Sequence, residues 1–443
     1  MARWHWGWLG ALLLAGPAMA RDATLRVDVV ASDFVPPSKT ARLDAIGRDE
    51  GVRFRHLAIG ADATAAEGWP GDAPPVILDT PRRPDAGAVV AAVGKRLHAG
   101  KVPWLRVGGG ALAFGNLPPE QAQRLAGYYA GGGEANFRHL ARYVARLHDG
   151  RDTAAVPPPQ PLPVTGYHDP LAPQWFTDAT ALRQWWHRQG QSDWPKAAVI
   201  VAGNSVGSLQ TEVLDAVIAA ARRHRVAAFG VWFDGDAEDG LQQALAGLDV
   251  DSMVNLTHLQ NGKARAAEFL ELDVPVLQAL NYRQGDAAAW RTADSGVPAA
   301  LLATFVTVPE GWGIGDPLVV SASQQGTQQP IPEQVEALAT KLARLGALRR
   351  TPADAKRIAL MFWNAPDGEK NLSASHLNVP RSLALLSRRL ADAGYSVTPA
   401  DEQCLISDAQ AMLGGYYHPE SLDALLQRDL AATFPIARYR QWL

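Results

Sequence analysis

The sequence predicts an α/β protein made of successive parallel sheets with covering helices, arranged in more than one domain. Three observations carry that expectation. Short β-branched or apolar runs, such as residues 25–31 and 197–202, alternate with stretches of helical periodicity, the pattern of parallel strands joined by crossover helices. Two stretches rich in proline or glutamine interrupt the alternation. The chain has 443 residues, more than the roughly 250–300 that one hydrophobic core organises.

Residues 1–20 combine Arg3, an apolar stretch over residues 6–15 and the small-x-small run Ala18-Met19-Ala20, the pattern of a secretory signal peptide. A membrane anchor would need about 20 consecutive apolar residues, whereas Gly7, Gly10, Gly16 and Pro17 interrupt a shorter stretch. No later segment is apolar and long enough to span a bilayer, so the expected product is exported, to the periplasm, without a transmembrane segment. Loss of Arg3 with the leader moves the formal net charge from -3 to -4. A balance so close to neutral argues against a nucleic-acid binder, which normally shows a basic surface. Cys404 is the sole cysteine, which rules out an internal disulfide and a cysteine-based metal centre within one chain. Beside Leu405 and Ile406 it reads as a small buried hydrophobe.

A first α/β domain is expected over residues 21–155. It has strands at residues 25–31, 56–59, 75–79 and 102–107, a helix over residues 86–99, and a further helix on which Phe137, Leu140, Ala141, Val144 and Leu147 share a face. Residues 156–163 read Val-Pro-Pro-Pro-Gln-Pro-Leu-Pro, a semi-rigid linker, since proline lacks the amide donor a helix needs. A second α/β domain follows over residues 164–320, with strands at residues 197–202, 227–233, 251–256, 275–280 and 301–308. Its helix carries Val213, Leu214, Val217, Ile218 and Ala221 on one face. Residues 321–352 form a connecting segment and a helix over residues 333–348. A third α/β unit is expected to begin within residues 353–443, with strands at residues 357–363 and 395–397 flanking a helix over residues 380–393 that Gly394 caps.

Two loops hold candidate binding residues. Ala202-Gly-Asn-Ser-Val-Gly-Ser208 lies where a strand hands over to a helix, and amides at such a turn can hold an anion. Asn204 and Ser205 are its polar side chains. The lysine of a nucleotide P-loop and the three-glycine dinucleotide fingerprint are both missing, and glycines serving a tight turn explain the segment as well. Gly108-Gly-Gly110 invites the same two readings. The second loop, residues 364–376, precedes a helix and is polar. Its His376, with Asn371 and Ser375 beside it, is placed to meet a metal or a ligand carboxylate, or else to pack beside Leu377. The eleven histidines make no His-Glu-x-x-His spacing, a Gly-x-Ser-x-Gly nucleophile elbow is not expected, and hydrolase chemistry is therefore not expected either. Trp185 and Trp186 are expected to serve helix packing.

Several segments, read in order, resemble the large subunit of cobaltochelatase, CobN, and the H subunit of magnesium chelatase. They begin with the run Tyr128-Tyr-Ala-Gly-Gly-Gly-Glu-Ala-Asn-Phe-Arg-His-Leu-Ala-Arg-Tyr143 and Gly166-Tyr-His-Asp-Pro170. Leu272-Asp-Val-Pro-Val-Leu-Gln-Ala-Leu280, Trp290, Ser295-Gly296 and Val308-Pro-Glu-Gly311 follow. The series ends at residues 357–395, with Leu377-Asn-Val-Pro-Arg-Ser-Leu383. The resemblance implies tetrapyrrole binding. It also implies divalent cobalt or magnesium as the inserted substrate, ATP held on separate AAA-type ATPase subunits, and no resident cofactor in this chain. Such large subunits are longer, and the region associated with insertion lies beyond residue 443, so the chain is expected to bind a tetrapyrrole without inserting metal alone. No Walker motif is present, and where the family has a glycine-rich loop this chain keeps Gly368 alone within residues 364–376. The leader supports an alternative, an exported tetrapyrrole- or metal-handling protein without ATP-coupled chemistry. Cleavage is expected after Ala20, where positions -3 and -1 are both alanine. N-terminal sequencing of exported protein should therefore begin at Arg21, and a start at Met1 would refute the leader.

Overall fold

The computed structural model describes residues 25–442, except 33–34, 60–73, 82–86, 88–92, 94–96, 295–296, 325–326, 362–367 and 369–371. The leader expected over residues 1–20 and the candidate Asn371 lie outside the described residues. The chain divides into two compact units, one up to Ala343 and one from Arg344.

The first unit contains two sheets. In the first sheet β1 (Leu25–Ser32), β2 (Val52–Ile59), β3 (Val76–Asp79), β4 (Trp104–Val107) and β5 (Ala113–Gly115) lie in the order β2-β1-β3-β4-β5. Its pairs are parallel except β4 with β5. β1 is buried on both faces from Val27 to Ser32, as the position of a parallel strand between two neighbours requires. Asp28, fully buried on that strand, takes both Arg55 donors, at 3.0 and 2.7 Å. The helices Pro119–Gly131 and Gly133–His148 cover the sheet, and Phe137, Leu140 and Ala141 point into the core.

The second sheet comprises β6 (Gly166–His168), β7 (Lys196–Ile200), β8 (Ala227–Trp232), β9 (Ser252–Asn255), β10 (Val276–Tyr282), β11 (Ile314–Gln324) and β12 (Thr327–Pro330). Their order is β12-β11-β10-β9-β7-β8-β6, with antiparallel strands only at the two edges. Trp186 is 2% exposed and stacks edge-on against Phe229, 5.3 Å between centroids. Trp185 packs beside the same core.

Two expectations in this sheet are corrected. Residues 301–308 form no strand. They run through the helix Ala299–Leu302, the π-helical turn Ala303–Thr307 and Val308–Glu310. Their β-branched composition yields to packing, because a helical course lays Phe305 and Val306 on the cluster of Leu280, Tyr282 and Val319. The strand is instead β11, whose end takes up the start of the expected connection, and residues 327–330 pair with it as β12. Polar glutamines suit such an edge, which faces water on one side.

Residues 156–163 are tied down along their length. Arg124 and the Tyr128 hydroxyl donate to the carbonyls of Val156 and Pro157. Asn136, 3% exposed, donates to Gln160 O at 2.7 Å and accepts from Gln160 N at 3.0 Å. Prolines leave these carbonyls unused by any ladder, and helix side chains claim them.

In the second unit the described residues form the helices Val379–Asp392, Glu402–Tyr417, Leu422–Gln427 and Ile436–Arg440, with a small hairpin of β13 (Ser373–Ala374) and β14 (Leu377–Asn378). The strands expected at residues 357–363 and 395–397 are not formed among the described residues. Ile358, Leu360 and Met361 are exposed, and an apolar run without a neighbouring ladder does not hold as a strand. Gly394 takes φ +83° behind the first helix, as a helix C-terminus favours. Cys404 is exposed, against expectation. Leu405, Ala409 and Leu413 are half-buried on one face of its helix, and Cys404 sits one position off that stripe.

Asp44 ties the helix Pro37–Arg48 to β2, accepting from Phe54 N at 2.9 Å, Arg53 Nε at 2.8 Å and Arg48 Nη2 at 2.8 Å. Burial pushes its pKa up, but the bonds from Arg53, Arg48 and Phe54 and the charge of Arg53 bring it below the ordinary Asp value. The folded pKa thus lies under the unfolded one, and the stabilisation is present above the unfolded value and lost as pH falls through the folded value. Asp44→Asn should lower stability at neutral pH by about 1–3 kcal/mol. The gap between denaturant melts of the two proteins should begin to narrow near about pH 4 and go on closing as the pH falls further, and an equal gap at every pH would contradict this linkage.

Candidate functional site

In an open α/β sheet ligands bind beyond the carboxyl ends of the strands, where the strand order reverses. Each sheet of the first unit has one such point. In the first sheet the chain leaves β1 for β2 on one side and for β3 on the other, and in the second it leaves β7 for β8 and then for β9. Both points open onto one cavity of about 340 Å³, lined from the first sheet by Lys39, Asp79, Gly108 and Tyr129 and from the second by Asn204, Ser205, Ser208 and Gln210.

A close backbone contact brings the two points together. Gly132, at φ +61°, interrupts the helical course between the two covering helices and lies against Gly207. A Cβ on Gly132 would collide with the Gly207 carbonyl oxygen. Asn136 secures the break by donating to Gly132 O at 2.8 Å.

The first sheet's wall is a saturated ionic group. Asp79 Oδ2 accepts from Lys39 Nζ and from the Tyr129 hydroxyl, both at 2.7 Å, and the ammonium lies 4.1 Å from the Tyr129 ring centroid. Burial, then the charge of Asp79 and its hydrogen bond, raise the Tyr129 pKa well above its ordinary value, so the phenol stays protonated and donating. His56, within 3.2 Å of Thr40 Oγ1, has its pKa lowered by burial against an opposing pull from Asp79. Nearby, the buried hydroxyls of Ser32 and Thr80, at the ends of β1 and β3, have no hydrogen-bond partner among the described residues.

Asn204 and Ser205, picked out in the sequence, sit side by side on the cavity's other wall, in the short helix Gly203–Gly207 that follows β7. Gly108, at φ +81°, lines the cavity too. Residues 203–207 read Gly-Asn-Ser-Val-Gly and so meet the Gly-x-Ser-x-Gly spacing that accompanies a nucleophilic serine, contrary to the expectation that the sequence carries no hydrolase signal. The geometry of a nucleophile is missing, however. Ser205 is not among the positive-φ residues and makes no hydrogen bond to a histidine among the described residues. Ser375 and His376 are exposed in the two-residue turn of the β13–β14 hairpin, at φ +46° and +70°, the left-handed pair a type I′ turn requires. The following helix is capped by Asn378, which accepts from Arg381 N at 3.0 Å.

Sequence reasoning missed Lys39, Asp79 and Tyr129. The available signal was an aspartate closing the apolar run Val-Ile-Leu-Asp79. Among the described residues no group of three or more His, Cys, Asp or Glu side chains converges as a metal-ligand set. The arrangement offers a hydrogen-bonding surface with a cation on one wall.

The family described as CobN/Magnesium Chelatase matches residues 126–443. The magnesium-chelatase large polypeptide of Rhodobacter capsulatus, its H subunit, is 23% identical over 303 residues, which cover 61% of this chain and 25% of that protein. The aerobic cobaltochelatase polypeptide CobN of Pseudomonas aeruginosa is 27% identical over 332 residues, covering 68% of this chain and 25% of that one. The catalytic subunit of cobaltochelatase from Mycobacterium tuberculosis has a similar fold, with a TM-score of 0.63 at 21% identity over 88% of this chain and 33% of that structure. The chain thus spans about a quarter of the length of these curated relatives.

If the Gly132–Gly207 contact seats the two sheets, Gly132→Ala must strain a left-handed residue and force the backbones apart, at a cost of at least about 2 kcal/mol. Thermal and urea denaturation should show that loss. A variant as stable as the parent would mean that the sheets are held elsewhere.

Proposed function

The chain belongs to the CobN/Magnesium Chelatase family, and from that premise we propose that its first unit supplies a tetrapyrrole-binding surface for a metal-chelatase reaction. The carrying observation is the convergence of two strand-order reversals on one cavity, with Asn204 and Ser205 opposite Lys39. At about 340 Å³ the cavity lies at the small end of ligand pockets, which run from about 300 to 1,000 Å³. It would grip one edge of a macrocycle and leave the rest open. Lys39 has its charge paired with Asp79, so this wall meets the edge as a hydrogen-bonding surface, and the Asp79 and Tyr129 bonds hold it in place.

Insertion of divalent cobalt or magnesium, the reaction's substrate, requires two pyrrole protons to leave and the ion to shed water. Asp79 is already engaged by Lys39 and Tyr129, which makes it a poor base. We therefore assign this unit to binding and orientation, and assign ATP-driven insertion to sequence outside this chain and to AAA-type partner subunits. The leader-like residues 1–20 favour a second reading, in which an exported, periplasmic protein handles a tetrapyrrole or its metal without ATP.

Titration of the chain with the dicarboxylic deuteroporphyrin, followed by tryptophan quenching, should saturate. Replacing Asn204 and Ser205 together by alanine should weaken binding by about 1–3 kcal/mol with little change in the thermal midpoint. Unchanged affinity in that variant would remove the cleft from the site. Metal insertion by the chain alone, given ATP and cobalt or magnesium, would overturn the assignment to binding.

A further inference from the structure

We infer that a second, smaller pocket beside the cleft receives a carboxylate side arm of the bound macrocycle, with Arg283 as its recognition residue. This rests on the tetrapyrrole reading above and goes beyond it by naming the group and the residue. The pocket, about 200 Å³, lies at the carboxyl ends of β9, β10 and β11. It is too small for a macrocycle and fits a short substituent. Ser205 lines both this pocket and the cleft, so the two cavities meet at one side chain.

The floor is polar where a sheet interior would ordinarily be apolar. Gln278 and Asn255, paired across β10 and β9, are 3% and 2% exposed and joined by a 2.9 Å hydrogen bond. Three residues further along β10, past a register irregularity, Ser321 donates to Asn281 Oδ1 at 3.0 Å and Asn281 donates to Ser323 at 2.9 Å. Burying such amides gains less than burying aliphatic side chains and demands that every group be satisfied. A row of them on neighbouring strands beside a cavity is what a polar ligand group needs and what packing alone does not.

The roof is apolar and held from two sides. Leu301 and Phe305 project over the floor from the helical segment that replaces the expected strand, at the π-helical turn Ala303–Thr307. Such turns are frequent at functional sites. The Phe305 ring is clasped by His258, edge-on at a centroid separation of 5.7 Å, and by Arg283, whose guanidinium carbon lies 5.3 Å from the centroid. Among the described residues Arg283 has no ion-pair partner, whereas the cleft's Lys39 is bound to Asp79. A guanidinium resting over a ring at the lining of a pocket can turn its donors to a carboxylate.

The test is to titrate the full chain with deuteroporphyrin and with its dimethyl ester, which differ only at the carboxylates. The parent should bind the acid about tenfold more tightly than the ester. Arg283→Gln should bring the ratio close to one, while Arg188→Gln, removing an equal charge from an exposed helix, should leave it intact. Arg283 is exposed, so its loss should not unfold the chain. Equal affinity of the parent for acid and ester, or an undiminished ratio in Arg283→Gln, would overturn the carboxylate pocket while leaving tetrapyrrole binding standing. Binding of neither compound would overturn both.

Discussion

The contact between Gly132 and Gly207 is the constraint on which the first unit's geometry depends. Two parallel sheets each bring polar groups to the carboxyl ends of their strands, but such groups make a site only if the ends face one another at short range. Two backbones without side chains can approach more closely than any other pair, and here they do so between the break in the covering helices and the turn that carries Asn204 and Ser205. The proline-rich residues 156–163 add to the same seat, because Asn136 bonds both Gly132 and Gln160. A stretch whose composition reads as a spacer is thereby made part of the interface.

The polar groups gathered there are of two kinds, with different uses. Lys39, Asp79 and Tyr129 satisfy one another, so the charges are fixed in position and the phenol is held protonated by burial and the neighbouring carboxylate. That favours orientation over proton transfer. The amide and hydroxyl row on β9, β10 and β11 is also internally bonded, but it borders a cavity roofed by Phe305. Both suit the proposed ligand, since a macrocycle with ionised arms needs a surface for its edge and separate contacts for its substituents.

Much of the fold was legible in the residues, and the failures are informative. Residues 25–31 announced a strand by their alternating, β-branched pattern, residues 197–202 by an unbroken apolar run, and Phe137, Leu140 and Val144 announced a helix by their spacing. Residues 301–308 misled because β-branched side chains there pack on a neighbouring cluster from a helical backbone. Residues 321–330 misled in the opposite direction, since polar glutamines are compatible with an edge strand that faces water. Of the candidate site, Asn204 and Ser205 were visible as a strand-to-helix turn, although their Gly-x-Ser-x-Gly spacing passed unrecognised. Arg283, like Lys39, gave no local sign, being a cation of ordinary surroundings in the sequence.

By itself the sequence determined the alternation of strands and helices, the α/β class and the family, because hydrophobic period, turn residues and motif order are properties of neighbouring positions. Only the tertiary structure decided which polar residues share a cavity. Lys39, Asp79, Tyr129 and Asn204 are far apart in the chain and meet through sheet order and one close backbone approach. The roof over Gln278 and Asn281 was likewise set by packing. Convergence of this kind depends on non-local contacts, whose energies are written in no single segment.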